Sequence, residues 1–359
     1  MRTMLFTCPA DAARGGAVAK GKRRRFCVDV HCHVHYPPAD DMVKDVHRRQ
    51  DEPNSRFSSA LSRATNQKQM DNVHVALTSV EQRLRDMDKM GVDVQAISVS
   101  PFQFMYGLDP ERGRKVARAT NENLADIVQK HPARFVALAN VPLQAPDAAA
   151  EELEYCVKRL GFRGVEIGTN VAGQEVARGR DAFWAKVQEL DVMVFMHPNG
   201  FTHGERLADH YFINVIGNPL DSTVAVAYLV FDGVLERFPK LKIVVAHGGG
   251  YVAHYPARMD HVWNAREDAR TALKKKPRRS LAKLYFDTIV FDRDQLRHLV
   301  TLWGADHVVA GTDYPYDMGW YDPRGFVDGC DFLTDADKAG ILGRNAAKLL
   351  KLKPVRAKS

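Results

Sequence analysis

No window of this 359-residue chain holds the roughly 18 consecutive apolar residues that a membrane helix needs, so no span is expected. The first residues lack the apolar stretch of a secretory signal. Cysteine is sparse: Cys8, Cys27, Cys32, Cys156 and Cys330 are odd in number, and no pair has zinc-finger spacing. Free thiols in a reducing compartment, the cytoplasm, are expected. No internal repeat or low-complexity tract is present, and no Gly-rich dinucleotide loop follows the first strand pattern. Basic charge is also scarcer than the net +7 suggests. Seven Lys/Arg lie within residues 1–25 beside one acid, Asp11, which leaves the rest nearly neutral. A basic leader is not a basic groove, so neither a nucleic acid nor a membrane is an expected partner.

Hydrophobic residues make up 45% of the chain, enough for a large core. Short β-branched runs at 26–30, 94–99, 135–139, 164–167, 192–196, 243–246, 284–286 and 308–310 read as strands. Amphipathic segments alternate with them, among them 79–90, 109–130, 146–160, 181–190, 219–238, 255–272, 292–302 and 335–351. Eight strand–helix units predict an α/β fold, a (β/α)8 TIM barrel, with a doubly wound sheet as the alternative. The domain plan is a flexible basic leader over 1–25, one barrel domain over 26–351 and a tail over 352–359. Within the barrel, residues 37–78 read as a long polar loop, a lid-like insertion.

Barrel active sites form at the C-terminal ends of the strands. The run "VDVHCHVHYPPAD" ends strand one with His31 and His33, two residues apart and so on one face. Cys32 then points the other way. Strand five ends in "VFMHPNG" with His197, strand six in "VVAHGGG" with His247, and strand eight in "VVAGTDYPYD" with Asp313. Imidazoles and a carboxylate on one rim suit one divalent metal, with zinc favoured and manganese or iron also accommodated. Such an ion brings the pKa of bound water down to about 7. His247 is expected as a proton shuttle, with Gly248–Gly250 allowing close substrate approach. Phe102, Phe104 and Tyr106 after strand two, and Asn199, Phe201 and His203 after strand five, are candidate pocket residues, and so is His35. Asp29 is a candidate for orienting a ligand histidine.

These motifs, with "MDKMGVDVQAISVS", "GFRGVEIGTN" and "VLERFPKLKIVVAHGGG", resemble the amidohydrolase superfamily. More narrowly they resemble the branch of 2-amino-3-carboxymuconate-6-semialdehyde decarboxylase and related aromatic-acid decarboxylases. The resemblance runs from about Phe26 to Leu350. It implies a metal on His31, His33, His197 and Asp313, catalysis by His247 and Asp313, and no organic cofactor. It implies a small carboxylic acid as substrate, gripped by Arg258 and Arg266, and a homodimer in which one such arginine enters the neighbouring subunit. A further substrate arginine of that branch corresponds to the vicinity of Asp71, where none stands; Arg63 or Lys68 could substitute. Glu166, at the end of strand four, is expected as a polar wall residue and not a bridge between two metals. The implied reaction is non-oxidative decarboxylation. The alternative is a metal-dependent hydrolase of a C–C, lactone, ester or amide bond, since one fold serves both. A non-enzymatic binding module leaves the rim residues without a use.

Overall fold

The first strand, β1, decides where the histidine pair points. In the computed structural model, which describes residues 24–352, it forms in two pieces, Val28–Asp29 and His33–Val34. Both run parallel to β2 (Val94–Val99), yet Asp29 faces Gln95 whereas His33 faces Ser98. β1 thus holds one residue more than its partner, a bulge. Val28 and Val30 pack inside the barrel with Ala96, Leu138 and Phe195. The bulge lets His31 follow Val30 inward, its ring 5.0 Å from that of Phe195. Strict alternation would have turned His31 away from the barrel interior.

β3 (Phe135–Ala139), β4 (Gly164–Gly168), β5 (Met193–His197), β6 (Lys242–Val245), β7 (Tyr285–Asp287) and β8 (Val308–Val309) follow in order, each parallel to its neighbour. The sheet closes between its first and last strands. Val30 N–H donates to the Ala310 carbonyl (3.0 Å), Asp313 N–H to that of His31 (2.7 Å), and Cys32 bridges Tyr314. The expected (β/α)8 barrel is therefore the fold. Between strands and helices, Phe135, Leu153, Phe183 and Trp184 are buried.

The helices start and stop for local reasons. In Val80–Met90, Ser79 Oγ accepts from Gln82 N–H (3.2 Å), and Gly91 ends the helix at φ 71°. Asp109 caps Pro110–Lys130 in the same way. The expected helix over 219–238 is Asn218–Phe231 and Val234–Arg237, broken at Gly233 with φ 71°. The segment 335–351 is interrupted by a π-turn at Gly340–Arg344. Ile213–Phe231 is long and apolar enough to cross a membrane, against the expectation from apolar runs. It carries Asp221, which accepts from Thr169 and from Asn170 Nδ2 (2.9 Å), and half of its most apolar window is buried. These are features of a core helix.

Two expectations need correction. The segment 37–78 is mostly helical, not a loop: Pro37–Asp41, Pro53–Arg56 and the 19-residue Ala60–Thr78, capped by Ser59. Sequence patterning misses the last because only Leu77 of its face is buried. Arg24 and Arg25, counted in the leader, are ion-paired to Asp93 and to Asp328 and Asp335. Residues 1–23 and 353–359, with the rest of the leader, nearly all of the tail and Cys8, lie outside the described residues. Cys27, Cys32, Cys156 and Cys330 are buried free thiols.

Candidate metal centre and active site

β1, β5 and the turn after β8 bring four side chains to one point at the C-terminal rim. A ligand atom from each of His31, His33, His197 and Asp313 lies within 4.8 Å of the others, and all four residues are buried. Asp313 Oδ1 is 3.2 Å from both His31 Nε2 and His33 Nε2. The ring of His197 stands 4.9 Å from those of His31 and His33. Asp313 adopts a left-handed backbone, φ 55°, an uncommon conformation for a residue with a side chain.

The charges suit a cation. Burial works to lower the His31 pKa, but the Asp313 and Asp287 carboxylates beside it push it up to about 10. Burial, then the neighbouring His31, His33 and His247, hold His197 well below the usual imidazole range. Burial also lowers His33. Burial opposes ionisation of Asp313, yet His31 and the adjacent histidines hold its carboxyl well below the usual range. Both ring nitrogens of His197 are buried without a hydrogen-bond partner, and so is His31 Nε2. Buried nitrogens stay unpaired at a cost unless something else meets them. Three imidazoles and one carboxylate converging on that gap fit a divalent metal ion.

His247 lies outside this set of four. Its Nε2 is 3.7 Å from Asp313 Oδ2, and its ring is 4.9 Å from that of His197. The three glycines after it have a different reason from the one expected. A Cβ on Gly248 would sit 2.3 Å from Val290 Cγ1, one on Gly249 2.4 Å from Phe286 Cδ1, and one on Gly250 2.4 Å from the Pro219 carbonyl oxygen. Packing of the turn excludes side chains there, and all three glycines have positive φ.

His197, His247 and Asp313 open into a cleft also lined by Arg49, Glu52, Asn66, Gln69, Phe102, Asn199, Tyr211 and Tyr316. Of the candidate pocket residues, Phe102 and Asn199 are thus in place. Phe104 and Tyr106 stack on each other (5.5 Å) and are buried, and His35 pairs with Asp40 (3.1 Å). Arg49 comes from the 37–78 segment and stacks on the Phe102 ring at 4.3 Å. The cleft's arginine is therefore Arg49, not a residue near Asp71. Asp71 accepts from Gln67, and Arg63 is spent on the Ser58 carbonyl. An irregular approach to a short helical turn gave no sequence signal for Arg49. Glu52 accepts from Asn199 Nδ2 (2.8 Å), and burial pushes its carboxyl up to about 7.

Arg258 and Arg266 do not line this cleft. Arg258 is exposed, and the Arg266 guanidinium is occupied by Asp268 (2.9 and 2.7 Å) at the surface. Glu166 is buried 3.9 Å from His33 Nδ1, and burial pushes it up to about 8. Among the described residues no second ligand cluster forms around it. Asp29 does not touch a ligand ring. It accepts from the His31 backbone N–H (3.0 Å), Gln95 Nε2 (2.9 Å) and Thr312 Oγ1 (2.6 Å), bracing the strand. The ring of His31 is held instead by Asp287, 2.6 Å from Nδ1. Asp287 ends β7, and a strand-end acid in "LYFDTIV" was the available signal.

Fold and site define a metal-binding (β/α)8 barrel. The amidohydrolase family model matches residues 28–352, and the chain belongs to that family. It is 31% identical over 274 residues to a 2-amino-3-carboxymuconate-6-semialdehyde decarboxylase from Dictyostelium discoideum, 76% of each chain. It is 28% identical to a gamma-resorcylate decarboxylase from a Rhizobium species, over 78% of this chain and 89% of that one. The crystal structure of 5-carboxyvanillate decarboxylase from Sphingomonas paucimobilis shares the fold at a TM-score of 0.81 and 21% identity, covering 91% of this chain and 99% of that one. A dihydroxybenzoic acid decarboxylase from a Polaromonas species, solved with manganese and the inhibitor 2-nitroresorcinol, gives 0.77 at 24% identity, covering 92% and 98%.

Proposed function

We propose that the protein is a metal-dependent carboxy-lyase that removes carbon dioxide from an aromatic or muconate-semialdehyde-type acid, without redox chemistry or an organic cofactor. One observation carries this reading. His247, an imidazole outside the cluster of four, stands on the cleft wall 3.7 Å from Asp313, placed to deliver a proton beside the metal centre. The decarboxylase relatives support it. His31, His33, His197 and Asp313 hold the metal, and their N3O donor set makes zinc our choice. Manganese, present in the Polaromonas relative, is the competing ion.

When bound, the ion supplies Lewis acidity and a fixed positive charge. The chain's own residues do the rest. Arg49, which lines the cleft against the Phe102 ring and has no carboxylate partner among the described residues, grips a substrate carboxylate. Phe102, Tyr211 and Tyr316 offer flat walls to a planar substrate. Glu52 and Asn199 read a polar substituent. The carbon–carboxyl bond breaks, its electron pair stays on the carbon, His247 protonates that carbon, and carbon dioxide leaves. The imidazole regains its proton from solvent, to which its side chain is 15% exposed.

The purified, metal-loaded enzyme should release carbon dioxide from a member of a panel of hydroxy- and amino-substituted aromatic acids. In D2O, each product molecule should carry one deuterium at the vacated carbon. No carbon dioxide from the whole panel with the site filled, or a carbonyl product bearing oxygen from labelled water, contradicts the reading.

A homodimer gives Arg258 its use. Tyr251 and Tyr255 are exposed just before it, and the Tyr251 hydroxyl reaches the Ile216 carbonyl (3.5 Å) beside exposed Phe212 and Val215. These exposed apolar side chains support a subunit interface here, across which Arg258 would reach the partner's cleft. Light scattering should give twice the chain mass; a single-chain mass removes this role. Buried, unpaired thiols favour a cytoplasmic setting.

A further inference from the structure

Asp287 is a fully buried carboxylate, and three of its four donors belong to the two halves of the site. Oδ2 is 2.6 Å from His31 Nδ1 and accepts from the His247 backbone N–H (3.1 Å). Oδ1 accepts from the backbone N–H groups of Gly248 (2.8 Å) and Ile289 (3.1 Å). A carboxylate has about four acceptor positions, and four donors meet this one. An ionised carboxylate only accepts, so His31 must carry its proton on Nδ1. Nε2 is then the ring atom left to ligate a metal, and it faces Asp313 Oδ1 at 3.2 Å and the point where the four ligands converge.

The same group holds the turn that presents His247. His247 itself has φ 55°, and Gly248 through Gly250 continue at 61°, 83° and 60°. Such a run of left-handed residues leaves its N–H groups without a regular ladder. Asp287 takes two of them. Holding this conformation is strained for a residue with a side chain, such as His247.

We propose that Asp287 is a positioning residue that couples the two functions of the site: it fixes His31 in the Nε2-ligating tautomer and locks the left-handed turn that aims His247. It is not among the four ligands and does not line the cleft. One carboxylate thereby sets both metal affinity and the register of the proton donor. The first effect is independent of the reaction proposed above; the second rests on that reading.

The test is Asp287→Asn, which keeps shape and one acceptor oxygen. The amide nitrogen meets two N–H groups whichever oxygen it replaces, and an amide can donate to His31 Nδ1 as well as accept from it, so the Nδ1 proton is no longer fixed. Metal affinity, measured by chelator competition with zinc and with manganese, should fall about 10- to 100-fold. At saturating metal, kcat should also fall while KM changes little. In a His247→Asn background the same substitution should leave the residual kcat unchanged but still weaken metal binding. Unaltered affinity in Asp287→Asn overturns the first half. A kcat loss that is equally large without His247 overturns the second. The wild-type holoprotein gives a check that needs no variant: histidine 15N shifts should show His31 protonated at Nδ1, and ligation through Nδ1 would refute the assignment. Altered metal affinity with no decarboxylation of any acid leaves this proposal's first half standing and removes the function.

Discussion

Asp313→Ala is expected to yield a folded protein with little or no bound metal and kcat/KM lowered by at least about 10³-fold. Asp313 is the only carboxylate in the cluster, and its Oδ1 lies 3.2 Å from two of the three imidazoles. Removing it takes away the one anionic ligand and leaves three imidazoles to hold the ion with no charge to balance it. A metal supplies several kcal/mol of charge stabilisation, and each 1.36 kcal/mol is about tenfold in rate. Metal content by elemental analysis should fall in step with activity. Full metal occupancy in the variant would show that Asp313 is not a ligand. His197→Ala should behave alike, for its two unpartnered nitrogens have no other evident use.

His247→Asn should separate chemistry from metal binding. Asparagine tolerates the left-handed backbone that His247 occupies, so the turn should survive. A positioned acid or base contributes about 10²- to 10⁴-fold, and kcat should drop by that factor. Metal content should stay near that of the parent, because the cluster of four does not include His247. An emptied site in this variant would make His247 a ligand and leave the proton without a named donor.

Much of this site is legible in the chain itself because strand ends are legible. β-branched runs ending in His197, His247 and Asp313 put chemistry at a rim that barrel geometry had already specified. The bulge in β1 is different. Alternation from Val28 would turn His31 to the same side as Cys27 and Asp29, and only the shifted pairing with β2 reveals why it faces inward. Arg49 and Glu52 were out of reach because short helical turns on a polar segment carry no periodicity. Asp287 was visible as a residue but not as a role. Its four donors come from β1, the turn after β6 and its own strand end, contacts that no local pattern encodes. Arg258 and Arg266 come from the resemblance alone: in the folded protomer both are exposed and neither lines the cleft.

The metal centre sits on the seam where β1 meets the end of the sheet. His33 and its carboxylate partner Asp313 are 280 residues apart in sequence. During synthesis the paired imidazoles emerge early, while the acid that completes their set is still untranslated. A nascent chain therefore offers only a weak, incomplete chelate, and loading belongs to the finished barrel. A bound ion would act as a clasp between β1 and the turn after β8, and a product truncated before Asp313 would lack the far half of the clasp and the last strand of the closure.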